Sequence, residues 1–444
     1  MNVVPLHSQP TVSRGRSPER SGLVAALDIG STKVCCLIGD VAPPKRKLPG
    51  GSEHDELTVV GVGHQASRGV HGGAVVDLDE AERAIRLAVD AAERMAGHTV
   101  SEVFVNVSGG RPLCTSHHAG IRLPGPAVTD DDVANVLGAA IRGIDPGKRI
   151  VLHATPTRFD LDQAKGIREP VAMYGERLGV ELNAVTVEPG PARNLALAIE
   201  RCHLSIAGLA VAAYAAGRAS LVEDELNLGV TVIEMGGATT SIAVFQDGHL
   251  VHADVIPIGG HHITKDLANG LSTTLAHAER IKTLYGSALA SVWDDREMIA
   301  IPLLGERGAD AGPDGGQKVP RSMLTGIIRP RLEETLELVR DRLAASPVAR
   351  HAGRRVVLSG GASQLTGMRE MAAQILERNV RLGAPQSLTG LPDAARTPAF
   401  AVAVGLLTYA LRPDLRLVSV PQFGPGRGQR NYLARVGRWL KESF

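Results

Sequence analysis

A chain of 444 residues exceeds what one hydrophobic core normally organises, so two or more domains are expected. A formal net charge of +1 and an aromatic content of 3% give neither the basic footprint nor the stacking surface of a nucleic-acid-binding protein, and nucleic acid is excluded as a partner. The four cysteines, Cys35, Cys36, Cys114 and Cys202, have no metal or disulfide spacing, which fits a reducing compartment, and no run reaches the roughly eighteen apolar residues of a spanning helix.

Met1 to Ser21 is polar, with Pro5, Pro10 and Pro18, and has no apolar signal-peptide segment; it reads as a disordered tail. Leu23 to Ile29 is apolar except at Asp28 and reads as a buried strand. It ends in Asp28-Ile29-Gly30-Ser31-Thr32-Lys33, and Val34 to Ile38 follows as a second strand, giving a hairpin. The basic, proline-rich stretch Ala42 to Glu56 reads as a solvated loop, with a partner or lipid contact as the less favoured alternative.

From Asp79, Ile85, Ala88, Val89, Ala92 and Met95 mark one face of a helix, followed by a strand at Val103 to Val107. A strand near Cys114 to Leu123, a helix capped by Thr129 ahead of Asp130, Asp131 and Asp132, and a strand near Arg149 to His153 complete a small α+β unit, placed at about Glu80 to Thr186. His117 and His118 are adjacent on a strand and point to opposite faces, which argues against a metal site formed with His153. Ala192 to Arg201 is amphipathic, and Leu204 to Ala216, apolar with Gly208 and several alanines, is expected to be a tightly packed crossing helix.

The first pattern then returns. Val230 to Met235 reads as a strand, Ile233-Glu234-Met235-Gly236-Gly237-Ala238-Thr239 as its acidic glycine turn, and Ser241 to Phe245 as the second arm. Further on, Glu279 and Lys282 share a helix face, either as an intrahelical ion pair or as a seat for a ribose. A glycine-rich loop from Gly305 to Gly316 precedes a long helix from about Leu324 to Leu343. Arg355 to Ser359 then runs into Gly360-Gly361-Ala362-Ser363 and a helix from Met368 to Leu376, a pattern that favours close backbone approach to a ligand.

After Val420 a flexible linker, Phe423 to Gln429, leads to an amphipathic segment at Asn431 to Phe444. Leu433, Val436, Trp439, Leu440 and Phe444 fall on one helical arc, with Arg435, Arg438 and Lys441 on the other side. This suits a helix lying in an anionic membrane interface, each cation being worth about 1 kcal/mol there. Gly437 disfavours the helix in water, so folding is expected to accompany binding, and the alternative is a terminal helix docked on its own domain.

Glycine turns that aim backbone N–H groups at one point, beside Ser31, Thr32, Thr239 and Thr240, suit a polyphosphate. Asp28 and Glu234 beside such an anion require a cation between them, and a Mg²⁺ held through water is the expected answer, with Lys33 neutralising further charge.

Taken together, Asp28 to Thr32, Glu234 to Thr239, Glu279 with Lys282, and Gly360 to Ala362 resemble the phosphate and adenosine motifs of the actin, Hsp70 and sugar-kinase superfamily. Within it, the chain from about Gly22 onward resembles the FtsA family of bacterial cell-division proteins. The resemblance implies an α/β, actin-like, duplicated ribonuclease H-like fold of two lobes that binds ATP and Mg²⁺. Its ligand residues would be Asp28, Gly30, Ser31, Thr32, Lys33, Glu234, Gly236, Gly237, Ala238, Thr239, Glu279, Lys282, Gly360, Gly361 and Ala362, with Asp28 and Glu234 on the metal through water.

Residues 22–79, 187–207 and 396–420 would form lobe 1 (1A), 80–186 an inserted subdomain (1C, an SHS2 domain), 208–256 with 331–395 lobe 2 (2A), and 257–330 subdomain 2B. A linker at 421–430 and the membrane helix at 431–444 would follow. The implied role is to tether the ring protein FtsZ, through its C-terminal tail at 2B, to the cytoplasmic face of the inner membrane, to self-associate into actin-like polymers and to recruit other division proteins. For the FtsZ tail, Arg321, Arg329 and Arg331 offer charge, although arginines at a helix entry are mostly solvated or paired.

Two departures from the pattern bear on turnover. Glu234 and Ala238 stand where the family usually has Asp and a third Gly, and the extra methylene moves a carboxylate by about 1.5 Å. Where a water-orienting Glu or Gln is found in relatives that hydrolyse ATP well, this chain is expected to offer Ala207-Gly208-Leu209-Ala210, so at most a slow ATPase is implied. The alternatives are a PilM-type pilus adaptor, a sugar- or acetate-kinase-like enzyme, and an MreB-type filament.

Overall fold

Two hairpins whose strands are apolar on both faces cannot be solvated on either, so each is built into a sheet covered by helices. The computed structural model describes residues 22–42, 56–302, 304, 317–349 and 352–411. The N-terminal tail, almost all of the 42–56 and 305–316 loops, the 421–430 linker and the 431–444 helix expected from the sequence lie outside the described residues.

In chain order, strands β1 (Gly22–Ile29), β2 (Lys33–Ala42) and β3 (Glu56–Ala66) form an antiparallel meander. A small hairpin, β4 (Val70–His71) and β5 (Ala74–Val75), leads to helix α1 (Leu78–Ala96) and strand β6 (Glu102–Val107). An inserted unit follows: β7 (Leu113–Arg122), α2 (Asp130–Arg142), β8 (Ile150–Leu161), β9 (Ala164–Ile167) and β10 (Arg177–Val187). The chain returns through α3 (Pro189–Arg201), β11 (Ser205–Val211) and α4 (Ala212–Ser220), and the short α5 (Glu223–Leu228) opens the second lobe. There lie β12 (Val230–Met235), β13 (Thr240–Gln246), β14 (His249–Ile256), α6 (Gly260–Gly270), α7 (Leu275–Tyr285), β15 (Met298–Ile301), β16 (Gln317–Pro320), α8 (Arg321–Ala345), β17 (Arg355–Ser359), α9 (Met368–Leu376) and β18 (Asn379–Leu382). Helix α10 (Ala401–Ala410) goes back to the first lobe, packing on α4, β1 and β2.

The two main sheets repeat one another. Their orders are β3-β2-β1-β6-β11 and β14-β13-β12-β17-β18, with β1 and β12 each paired antiparallel to the next strand and parallel to the strand on the other side. The inserted sheet, β7-β10-β8-β9, carries α2 and its own core, including Val136, Leu137, Ile141, Leu178 and Leu182. Thr129 caps α2 in a reciprocal box with Asp132, as the sequence indicated.

Two sequence expectations are corrected here. The inserted unit does not begin at Glu80: α1 packs on β3, and β6 sits between β1 and β11, so both belong to the first lobe. Their apolar faces serve that lobe's sheet, and local periodicity cannot say which sheet an element covers. Nor is Leu204 to Ala216 one helix. Ser205–Val211 is the edge strand β11 of the first sheet, so this lobe extends past residue 207, and the helix starts at Ala212. A run of small apolar residues fits either element, and the ladder to β6 decides it.

The lobes join where α4 and α10 cross. Gly405 allows this crossing, since a Cβ there would lie 1.7 Å from the Ala215 carbonyl oxygen. Gly405→Ala is therefore expected to destabilise the protein by about 1–3 kcal/mol in urea unfolding. Gly326→Ala, in a stretch of α8 where the new methyl meets nothing within 4 Å, is expected to be neutral or to stabilise by up to about 1 kcal/mol.

Candidate functional site between the lobes

Both hairpins close with the same four-residue turn. The Gly30 N–H donates to Lys33 O at 2.9 Å and the Gly236 N–H donates to Thr239 O at 2.9 Å. Asp28 and Glu234 hold equivalent positions, each two residues ahead of its turn glycine. The turns meet across a cleft of about 420 Å³. They meet closely: a Cβ on Gly237 would lie 2.4 Å from the Thr32 methyl carbon.

Of the residues expected from the sequence, Asp28, Gly30, Ser31, Thr32, Lys33, Glu234, Gly236, Gly237, Ala238, Thr239, Glu279, Lys282, Gly361 and Ala362 all line this cleft. Gly360 lies behind the wall instead. Its φ of 85° and the 2.4 Å from its missing Cβ to Met235 O make it the spacer that lets the third turn pack against the strand carrying Glu234.

Sequence reasoning missed Asn106, Ser108, Ala212, Gly260 and His261, which also line the cleft. Asn106 is buried; its Oδ1 accepts from the Ile29 N–H at 2.7 Å and its Nδ2 donates to Ser108 Oγ at 2.9 Å, which fixes the end of β1. A single polar residue in the apolar strand Val103 to Val107 was the available signal. Gly259-Gly260 supports the second turn from below, with Gly260 N–H donating to Gly236 O at 3.0 Å and His261 N–H to Gly237 O at 2.6 Å. That pair stands between a strand and a helix, the same pattern that drew attention to Gly360-Gly361.

The floor of the cleft is acidic, and both acids are buried. Burial raises the Asp28 carboxyl above its ordinary value, and the Lys33 ammonium offsets this only in part. Glu234 is pushed up to about 8, by burial first and by the negative charge of Asp28 second, with Lys33 opposing. Lys33 itself donates from Nζ to the Ala399 carbonyl and lies 3.8 Å from the Phe400 ring centroid. Glu279 and Lys282 do form the intrahelical ion pair, at 2.8 Å, and they do so on the cleft wall. Lys282 Nζ also donates to Thr264 Oγ1 at 2.9 Å and to Gly260 O at 3.0 Å. Burial opposes ionisation of Glu279, but Lys282 and the Thr264 hydroxyl outweigh it and hold the carboxyl below its ordinary value.

The geometry on its own gives two matched turns, two buried acids and one cleft. Residues 231–405 match the family described as cell division protein FtsA, and residues 109–186 match the SHS2 domain inserted in FtsA. The chain is 48% identical over 435 residues to the cell division protein FtsA of Agrobacterium fabrum, covering 96% of each. It is 34% identical over 426 residues to that of Escherichia coli (strain K12), covering 94% of this chain and 96% of the other. This chain belongs to the FtsA family.

Membership agrees with the architecture. The SHS2 match coincides with the inserted β7–β10 unit rather than with the wider 80–186 span. Among solved structures, the fold resembles the PilM-PilN type IV pilus biogenesis complex, with TM-score 0.57 and 16% identity over 89% of this chain and 99% of that one. It also resembles MreB5 of Spiroplasma citri bound to ADP, with TM-score 0.52 and 13% identity over 89% and 98%. At such identities the likeness concerns the fold, which is actin-like.

Other residues singled out in the sequence have partners within the chain. Arg321, Arg329 and Arg331 are engaged within the chain, with Glu297 at 2.9 Å, Glu333 at 2.7 Å and Asp266 at 2.6 Å respectively. Ala207 to Ala210, expected where such relatives carry a water-orienting group, lie in β11 away from the cleft lining, whereas Ala212, which opens α4, lines the cleft. His153 is buried, and its Nε2 accepts from the Val211 N–H at 3.0 Å, so it anchors the inserted domain to the turn that precedes Ala212.

The raised carboxyls fix a pH dependence. A carboxyl with a higher pKa when folded binds its proton more tightly in the folded state, so its stabilising effect is complete below the unfolded value of 4.5 and is lost as pH rises through about 8. Without added nucleotide or divalent cation, Glu234→Gln is expected to gain stability over the parent between pH 6 and pH 8.5, by about 1 kcal/mol or more in urea unfolding. A constant difference across that range would contradict the assignment.

Proposed function

We propose that this FtsA-family cell-division protein binds ATP with Mg²⁺ between its lobes and uses it as a conformational ligand rather than as fuel. The observation that carries this reading is the contact of the two glycine turns over Asp28 and Glu234. Backbone amides and the hydroxyls of Ser31, Thr32 and Thr239 surround a space fit for phosphates, and two buried acids need a cation to remain charged there. Asp28 and Glu234 would hold Mg²⁺ through water; when bound, it neutralises phosphate charge. Glu279 and Lys282 would flank the ribose, with Gly361 and Ala362 beneath the base. The solved MreB5 relative of similar fold carries ADP, which supports a nucleotide as the ligand class.

Turnover is expected to be slow. Phosphoryl transfer depends on positioning, and the methyl of Ala212 cannot orient water. Asp28→Asn should weaken ATP binding in Mg²⁺ about tenfold or more, read by calorimetry, with no loss of unfolding temperature. Steady-state phosphate release by the parent should stay below about one per second; several per second would contradict the reading.

The wider role we propose is tethering at the cytoplasmic face of the inner membrane. Subdomain 2B would hold the FtsZ C-terminal tail, the inserted domain would meet other division proteins, and copies of the chain would associate as actin-like polymers. Since Arg321, Arg329 and Arg331 are paired internally, an acidic tail would have to displace those pairs or dock elsewhere on 2B. Attachment to lipid would come from the sequence of 431–444, with Leu433, Val436, Trp439, Leu440 and Phe444 among acyl chains and Arg435, Arg438 and Lys441 at headgroups. Deleting 431–444 should abolish sedimentation with anionic liposomes; unchanged pelleting would refute the anchor.

A further inference from the structure

Lys33 has a partner that phosphate chemistry does not explain. It is the last residue of the first turn and opens β2, yet its ammonium reaches to Pro398–Phe400, more than 360 residues further on, donating to the Ala399 carbonyl and lying 3.8 Å from the Phe400 ring centroid. The Phe400 ring also lies 5.7 Å from the ring of His64, on β3. This short segment is where the chain, having left the second lobe at β18, enters the first lobe through α10.

Its other end is held by the second lobe. The Pro398 carbonyl accepts from the Gly360 N–H at 3.0 Å and from Ser359 Oγ at 3.2 Å. Three consecutive residues therefore bond both lobes: Pro398 to the turn after β17, Ala399 and Phe400 to the turn after β1. Ala399 and Val402 line the cleft beside Lys33.

We propose that Lys33 is the positioning residue through which occupancy of the cleft reaches the lobe-crossing segment Pro398–Phe400; this rests on the polyphosphate reading above. A flexible four-carbon stem lets one ammonium face either the segment or an anion in the cleft. Its bond to a phosphate oxygen joins two charged groups and is stronger than its bond to a neutral carbonyl beside an aromatic face. Loading the cleft with a nucleoside triphosphate draws the ammonium off Ala399 and Phe400 and loosens the first-lobe anchor of the crossing. The second-lobe anchor at Pro398 is untouched. The lobes are then free to turn about the crossing, and α10 follows.

A double-mutant cycle tests this. Phe400→Leu removes the aromatic face that competes for the ammonium, so affinity for Mg²⁺-ATP should tighten about threefold, as befits one half-buried cation–π contact. In a Lys33→Met background the same Phe400→Leu change should have no effect on affinity. Equal effects in both backgrounds, or weaker binding caused by Phe400→Leu alone, would overturn the proposal and leave a purely structural aromatic.

Amide exchange supplies a second readout that needs no nucleotide. Lys33→Met should speed exchange across 399–402 while leaving the Gly360 amide unchanged; unchanged exchange at 399–402 overturns the proposal even if ATP binds well. If the parent binds no ATP while Lys33→Met still loosens the segment, the nucleotide reading fails and the sensing role falls with it, leaving only the anchor.

Discussion

Asp28 and Glu234 are kept out of water at matching places in two hairpins whose turns touch, and the architecture follows from that burial. A buried carboxylate is costly unless something answers its charge, and one lysine cannot answer two. The protein therefore holds both acids high in pKa on the floor of a cleft, a cost to stability that the proposed cation-bearing ligand would answer. Function and fold pull against each other here, and the cost is offset elsewhere by well-packed sheets.

That packing comes from duplication with an insertion. Each lobe presents the middle strand of a five-stranded sheet to the cleft, and the crossing of α4 and α10 on small residues brings the two sheets together. The inserted domain is fastened to both lobes. His153 accepts from Val211 in the first, while Asn183 Nδ2 donates to Leu250 O at 3.1 Å on strand β14 of the second.

Much of this was legible in the sequence, because the hairpin turns combine signals that local chemistry dictates: apolar strands, an acid in a fixed frame, and glycines where backbones approach. The ten residues expected from the two repeated frames line one cleft, as do Glu279, Lys282, Gly361 and Ala362. Gly360 stands behind the wall; a glycine required for packing looks the same in sequence as one that faces a cleft. Asn106 and His261 escaped because their roles are set by strands and turns distant in sequence. The bounds of the inserted domain, and the helix read into Ser205–Val211, failed because sheet membership is a long-range property. That Arg321, Arg329 and Arg331 are paired fits what arginines at a helix entry usually do, but the partners Glu297, Glu333 and Asp266 are set by the fold.

In the function proposed above, two turns far apart in the chain, Gly30 to Lys33 and Gly236 to Thr239, grip one nucleotide from opposite lobes. A crystal structure of the full chain grown with Mg²⁺ and a non-hydrolysable ATP analogue tests it most directly. The account predicts a single analogue whose phosphates lie between the two turns, with water-borne Mg²⁺ facing Asp28 and Glu234. An analogue bound to one lobe alone, or on a surface away from both turns, would contradict it.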